Sequence, residues 1–361
     1  MEERTNVDID GRRRGEIWGR RQGLRGTARE GCPISGKRVK QKKMKAVVHD
    51  RYGEPEQLYL TELPEPSISD QECLVKVAAV SVNPSDWKTL AGKWRFATGN
   101  RFPRRTGIDF SGTIVRVGAK VTRFRRGEQV IGSVVPLRTG CLAEYVAVPE
   151  GHLAGVPKNL DPADAAGIPV ACSTAYVGLR HRRRDLQRRR VLLTGAGGGV
   201  GHFVIQLGRV FGDHLTAVCS ASKMELCREL GADRVLDYRK TDALAGADRY
   251  DLVFDCASSI SYREARRILE PGGEYLLLAT QGRIWLFLYS FLSQITPGRH
   301  LWAFLVGPDG ERYRRLVDLF EENDLKVVVR SRYPMARAPE AFRESKDGHA
   351  TGKIIIDVAD R

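Results

Sequence analysis

The stretch from Val191 to Gly201, V-L-L-T-G-A-G-G-G-V-G, constrains this chain most. A short apolar run of strand character, Val191 to Thr194, passes into a glycine-rich turn. Beyond it Val200, Phe203, Val204, Leu207 and Phe211 recur at helical spacing. A strand, a tight turn and a helix in that order present backbone N–H groups and the positive end of a helix dipole to an anion. The candidate cradle for a dinucleotide pyrophosphate is therefore Gly195, Gly198, Gly199, Val200 and Gly201. Its spacing is G-x-x-G-x-x-G rather than G-x-G-x-x-G, so the turn carries weight only inside a parallel α/β unit.

The flanking sequence supplies that unit. From Asp161-Pro162 onward strands alternate with helices: Val191–Thr194, Leu215–Cys219, Arg234–Leu236, Asp251–Asp255 and Tyr275–Ala279 read as strands. Helices are expected to start near Val200, Met224 and Ser261, after one over Ala163–Gly178. Between Met44 and Asp161 the texture differs: short β-rich runs are punctuated by Pro64, Pro66, Pro84, Gly107, Gly118 and Gly127. The expectation is an α/β protein with a β-barrel-like domain over 44–165 and a doubly wound parallel-sheet domain over 166–307. Residues 308–361 open with an amphipathic helix, Glu311–Glu322. They close with β-rich segments, Lys326–Arg330 and Gly352–Val358, that rejoin the first domain.

Charge and cysteines narrow the function classes. The formal net charge is +15, but residues 1–43 hold 13 Lys and Arg against 6 Asp and Glu, so about half the excess lies in a segment without apolar periodicity. A basic arm would want interleaved aromatics and has only Trp18; a transit peptide would be poor in acids and has six. A disordered basic extension ahead of Met44, without a role in the fold, is expected. The run Arg180–Arg190 reads as a solvated connector, and nucleic acid is not the expected partner. No apolar run approaches the roughly 18 residues of a membrane span. Seven scattered cysteines without a C-x-x-C pair suggest reduced thiols and a cytoplasmic setting.

Five stretches together resemble the medium-chain dehydrogenase/reductases, in their zinc-free quinone oxidoreductase-like branch. They are Met44–Val48, Ser81-Val82-Asn83-Pro84-Ser85-Asp86, Gly107-Ile108-Asp109-Phe110-Ser111-Gly112, the glycine turn, and Gly348-His349-Ala350-Thr351-Gly352-Lys353. The resemblance implies a GroES-like domain closed by the C-terminal strands, an inserted Rossmann domain, an active site between them, and a homodimer. It also implies that the positions where zinc-dependent relatives hold their ligands are Asn83, Ile108 and Val170. Isoleucine and valine cannot bind zinc, and no cysteine-rich lobe for a second zinc is present, so no metal is expected.

The cofactor follows from charge. NAD sites commonly place an acid at the end of the second strand, about 20 residues past the turn. Here Leu215–Cys219 runs instead into Ser220-Ala221-Ser222-Lys223. A hydroxyl and an ammonium suit a 2′-phosphate, and the resemblance adds Tyr238, so NADPH is expected. The alternative is that Ser220 only caps a helix and Lys223 is solvated. By resemblance Asn83 and Thr174 contact the nicotinamide end, and Ala279 and Thr280 its ribose. Asn83 or Lys88 would serve the chemistry, Asn83 as a donor to the developing oxyanion and Lys88 as a proton donor; the alternatives are a turn residue, a helix cap at Asp86 and an inert lysine. Lys88 and Trp94 stand where several quinone reductases carry tyrosines. The expected activity is hydride transfer from NADPH to a quinone or an α,β-unsaturated carbonyl. Enoyl-thioester reduction and a non-enzymatic NADPH-sensing or RNA-associated role are the alternatives.

Overall fold

The computed structural model describes residues 42–135, 139–181, 188–278, 290–293, 298–348 and 350–359. The basic segment 1–41, most of the arginine run, and Ala279 and Thr280 lie outside the described residues. From Gln41 onward the chain forms one compact unit.

The parallel sheet has six strands in the spatial order Arg234–Asp237, His214–Cys219, Arg190–Thr194, Tyr250–Asp255, Leu269–Leu277, His300–Ala303. In chain order this is third, second, first, fourth, fifth, sixth. The winding therefore reverses beside Arg190–Thr194, and such a reversal opens a crevice at the carboxyl ends of the strands. Val191, Leu192 and Leu193 are fully buried, as a strand covered by helices on both faces requires. The helix after the glycine turn, Gly201–Val210, packs Phe203, Val204 and Leu207 into the same core as Phe254 and Leu276. Sequence patterning missed the sixth strand, whose four residues are too short to show a period.

The second architecture is antiparallel except for one parallel pair, Val329–Pro334 with Lys353–Asp357. Glu72–Val82 pairs with Asp109–Val117, with Tyr145–Pro149 and, at its far end, with Lys353–Asp357. The last strand thus returns across the chain to lie against the first domain, Ile354 opposite Val82 and Ile355 opposite Ser81. Its partner strand begins at Val329, three residues later than the β-rich pattern suggests. This GroES-like domain and the six-stranded Rossmann sheet make the protein α/β.

Local chemistry sets the ends of the helices that border the site. The helix expected over Ala163–Gly178 is broken in two, a 3₁₀ turn at Asp164–Gly167 followed by Pro169–Arg180. Proline at the first helical position gives up no hydrogen bond there, and the next N–H, that of Val170, has no partner within the helix. At Pro84–Leu90 the carboxylate of Asp86 reaches back to accept the N–H of Asn83 at 2.7 Å. Asp86 is a helix cap.

Candidate active site

The first half of the site is the glycine turn. Gly195 has φ +63°, a left-handed conformation that favours glycine. A Cβ on Gly201 would stand 2.4 Å from the Gly195 carbonyl oxygen, and one on Gly197 would stand 2.8 Å from Cδ of Lys223. The turn is closed on one side by the C-terminal segment: the N–H of Gly352 donates to the Gly197 carbonyl at 2.9 Å. Buried behind it, His202 donates through Nδ1 to the Gly198 carbonyl (3.0 Å), and burial pushes its imidazole down to about 3, so it is neutral at working pH.

The second strand ends beside the turn, and three predicted residues gather there. Ser220 follows Cys219 and lies 3.2 Å from the Ser222 hydroxyl. Tyr238, 54 % exposed, is tied by its N–H to the Cys219 carbonyl. Lys223 is half-buried over the turn, and its ammonium donates to the Ala350 carbonyl at 3.0 Å. Burial lowers its pKa, helped by the positive charge of Arg330. Arg330 belongs to the strand Val329–Pro334, so a second cation from the GroES-like domain faces the same place. A hydroxyl, a phenol and an ammonium, with no carboxylate among Ser220–Lys223, fit a phosphate on the adenosine ribose.

The other half of the site is a buried polar cluster at the mouth of the GroES-like domain. Asn83, only 3 % exposed, donates through Nδ2 to Asp109 Oδ2 at 2.9 Å and to the Ser81 carbonyl at 3.3 Å. Its Oδ1 accepts from Lys353 Nζ at 2.7 Å. Asp109 Oδ2 also accepts the N–H of Val170 at 3.1 Å, the group left over at the proline-led helix start. Burial raises Asp109 to about 6 against the opposing effect of Lys353, and raises Asp86 to about 8. Lys353, 2 % exposed, is lowered by the same desolvation, opposed by Asp109 and then Asp86.

The two positions that the resemblance assigns to zinc ligands, Asn83 and Val170, therefore both donate to one carboxylate oxygen. With Ile108 as the third position, these residues do not fit a zinc ion. Among the described residues no cluster of three or more His, Cys, Asp or Glu is placed to hold a metal. Thr174 lies one helical turn beyond Val170 and donates its hydroxyl to the Val170 carbonyl at 2.7 Å. Lys88 is half-buried on the helix Pro84–Leu90 with its ammonium 5.4 Å from the Trp87 ring centroid, and its pKa is lowered by burial and then by Lys93. The structure thus brings Asn83 and Val170 into one network and leaves the Lys88 ammonium over Trp87.

Sequence reasoning missed Asp109 and Lys353 as members of this site. Asp109 reads as a turn residue until Val170 and Asn83 are seen to share it. Lys353 had one signal: a lysine directly ahead of three consecutive isoleucines, Ile354-Ile355-Ile356.

A Rossmann crevice with a GroES-like domain across it defines a nucleotide-dependent oxidoreductase fold. Residues 69–158 match the alcohol dehydrogenase GroES-like domain family and residues 230–356 the zinc-binding dehydrogenase family. A chloroplastic quinone-oxidoreductase from Triphysaria versicolor is 33 % identical over 88 % of this chain and 99 % of its own length. The chloroplastic NADPH-dependent alkenal/one oxidoreductase of Arabidopsis thaliana is 35 % identical, over 87 % of this chain and 80 % of the relative. The solved quinone oxidoreductase of Coxiella burnetii superposes with a TM-score of 0.80 at 27 % identity, covering 88 % of this chain and all of that one. The chain belongs to the medium-chain dehydrogenase/reductases, in the quinone oxidoreductase-like branch, and is an oxidoreductase of the quinone oxidoreductase/alkenal reductase family.

Proposed function

We propose that the protein is an NADPH-dependent, zinc-independent reductase of quinones or α,β-unsaturated carbonyls. The observation that carries the reading is the gathering of Ser220, Lys223 and Tyr238 at the end of the second strand. An acid there would repel a 2′-phosphate, and an ammonium attracts it. The names of the relatives, quinone-oxidoreductase and alkenal/one oxidoreductase, agree with the acceptor class.

In this reading the glycine turn with Gly195, Gly198, Gly199, Val200 and Gly201 holds the pyrophosphate, and Thr174 and Asn83 border the nicotinamide. Ala279 and Thr280, which follow the fifth strand in sequence and lie outside the described residues, are the residues assigned to its ribose. The bound cofactor supplies the hydride; the protein supplies position, exclusion of water and charge. Asn83 has both amide hydrogens engaged, so to serve a developing oxyanion it must release the long bond to the Ser81 carbonyl. Lys88 is the proton source, its lowered pKa making the ammonium a better acid. A homodimer joined through the edge strand His300–Ala303 completes the proposal, since that strand has a partner on one side only among the described residues. The six described cysteines are free thiols, which agrees with a reducing compartment such as the cytoplasm. The relatives above are named chloroplastic, which speaks for those proteins.

Initial rates with NADPH and NADH against a small quinone, a 2-alkenal and a 2-enoyl-CoA test the reading. The expected result is a lower KM for NADPH, turnover of quinone or alkenal, and no loss on exhaustive chelation. Equal use of NADH, or activity that follows added zinc, would overturn it, and turnover of the enoyl thioester alone would replace the acceptor.

A further inference from the structure

Lys353 is the residue whose placement the proposed function does not use. A lysine ammonium that is almost fully buried is costly unless it is paired and hydrogen-bonded. Here it is spent between two functional parts. Its Nζ donates to Asn83 Oδ1. Its methylene chain runs beside the glycine turn, where a Cβ on Gly199 would stand 3.5 Å from its Cδ. Its neighbour Gly352 is bonded to Gly197 in that same turn.

Lys353 also orients what it touches. An amide side chain has one accepting and one donating end, and an ammonium can only donate. With Oδ1 held by Lys353, Nδ2 of Asn83 must turn toward Asp109 and Ser81, as observed. The same cation lies near the two buried carboxylates, Asp109 and Asp86, and the neutral His202 on the turn side.

We infer that Lys353 is a positioning residue for the reductase reaction: its ammonium sets the orientation of the Asn83 amide, while its methylene chain and the neighbouring Gly352 tie that amide to the nucleotide turn. Its ammonium stands on Asn83, one of the three positions that the resemblance aligns with zinc ligands. The inference rests on the proposed function in one respect, that Asn83 borders the nicotinamide.

The experiment compares wild type, Lys353→Met, Asn83→Ala and the double variant as full-length protein, by steady-state kinetics and by the fluorescence of bound NADPH. Lys353→Met is expected to lower kcat by about tenfold to a hundredfold, the usual cost of removing a residue that orients a ligand group. The NADPH KM should move by less than about threefold, because the residue acts through Asn83 rather than by binding. The double variant should be no slower than Asn83→Ala alone, since the two residues act as one unit. Losses that multiply, or a Lys353→Met kcat equal to wild type, would overturn the inference while leaving the reductase reading intact. Should Lys353→Met not fold, Lys353→Leu likewise removes the donor and is held to the same comparison. If wild type reduces no acceptor, the reductase reading fails and the fluorescence decides alone. A bound-NADPH emission altered by Lys353→Met, and not further altered in the double variant, keeps the inference; an unaltered emission removes it.

Discussion

Asn83 Nδ2 and the backbone N–H of Val170 both donate to Asp109 Oδ2, at 2.9 and 3.1 Å. One carboxylate oxygen thereby joins a capping loop in the GroES-like domain to the start of the helix Pro169–Arg180. Proline explains why Val170 is available, because the helix it opens leaves the first N–H groups without intrahelical acceptors. The network links the two chain segments through hydrogen bonds, with the charge of Lys353 beside them.

Truncating Asn83 should therefore cost stability as well as turnover. Asn83→Ala leaves the Lys353 ammonium without the Oδ1 acceptor and Asp109 Oδ2 with the Val170 N–H in place of two donors. The expected destabilisation is about 1.5–3 kcal/mol, the range for a hydrogen bond to a charged group, read by urea denaturation. A midpoint unchanged from wild type would show that the pair carries no energy.

Cofactor choice should rest on Lys223. In the structure its ammonium is bonded to the Ala350 carbonyl, and it must turn toward a 2′-phosphate. Lys223→Ala is expected to raise the NADPH KM about tenfold to a hundredfold, equivalent to one charge-assisted hydrogen bond, with NADH changing less than about threefold. Parallel losses for both nucleotides would place Lys223 in the fold rather than in phosphate recognition.

The turn should tolerate no side chain at Gly201. A Cβ there would stand 2.4 Å from the Gly195 carbonyl oxygen and 2.5 Å from that of Ala196, both rigid backbone atoms. Gly201→Ala is expected to cost about 1–3 kcal/mol by overpacking and to abolish NADPH binding, measured by thermal melting and titration calorimetry.

Stability should fall as pH rises through the neutral range. Burial lifts Asp86 to about 8 and Asp109 to about 6, whereas an unfolded aspartate titrates near about 3.9. Between these values the native state binds more protons than the unfolded chain, so each of the two groups makes unfolding easier as pH increases, up to its native pKa. Asp86→Asn keeps an oxygen for the Asn83 N–H and does not titrate. Melting temperatures recorded from about pH 5 to about pH 8 should decline more gently in this variant than in wild type. An identical slope would mean that Asp86 ionises in the fold without penalty.

Much of the architecture was legible in the linear chain because it rests on local pattern. The apolar run ahead of Gly195, the helical spacing after it and the serine and lysine at 220 and 223 each report through neighbours in sequence. The six-residue spacing of Gly195, Gly198 and Gly201 acquires its meaning from the strand beside it. The strand His300–Ala303 was not legible, since four residues cannot display a period, and neither was the break at Asp164–Gly167 ahead of Pro169.

The polar cluster lies at the other extreme. Isoleucine at 108 and valine at 170, at positions that the resemblance aligns with zinc ligands, carry no metal-binding group, and the segment after Cys219 carries a serine and a lysine where an acid is common. What no local pattern contains is that Lys353, 270 positions from Asn83, caps its amide, or that Asp109 binds a helix start 61 positions away. Side-chain type and short-range spacing are properties of the chain. The pairing of a buried cation with one amide oxygen is decided by tertiary structure, because only the closing strand, laid against Glu72–Val82, brings them within reach and strips the water that would otherwise separate them.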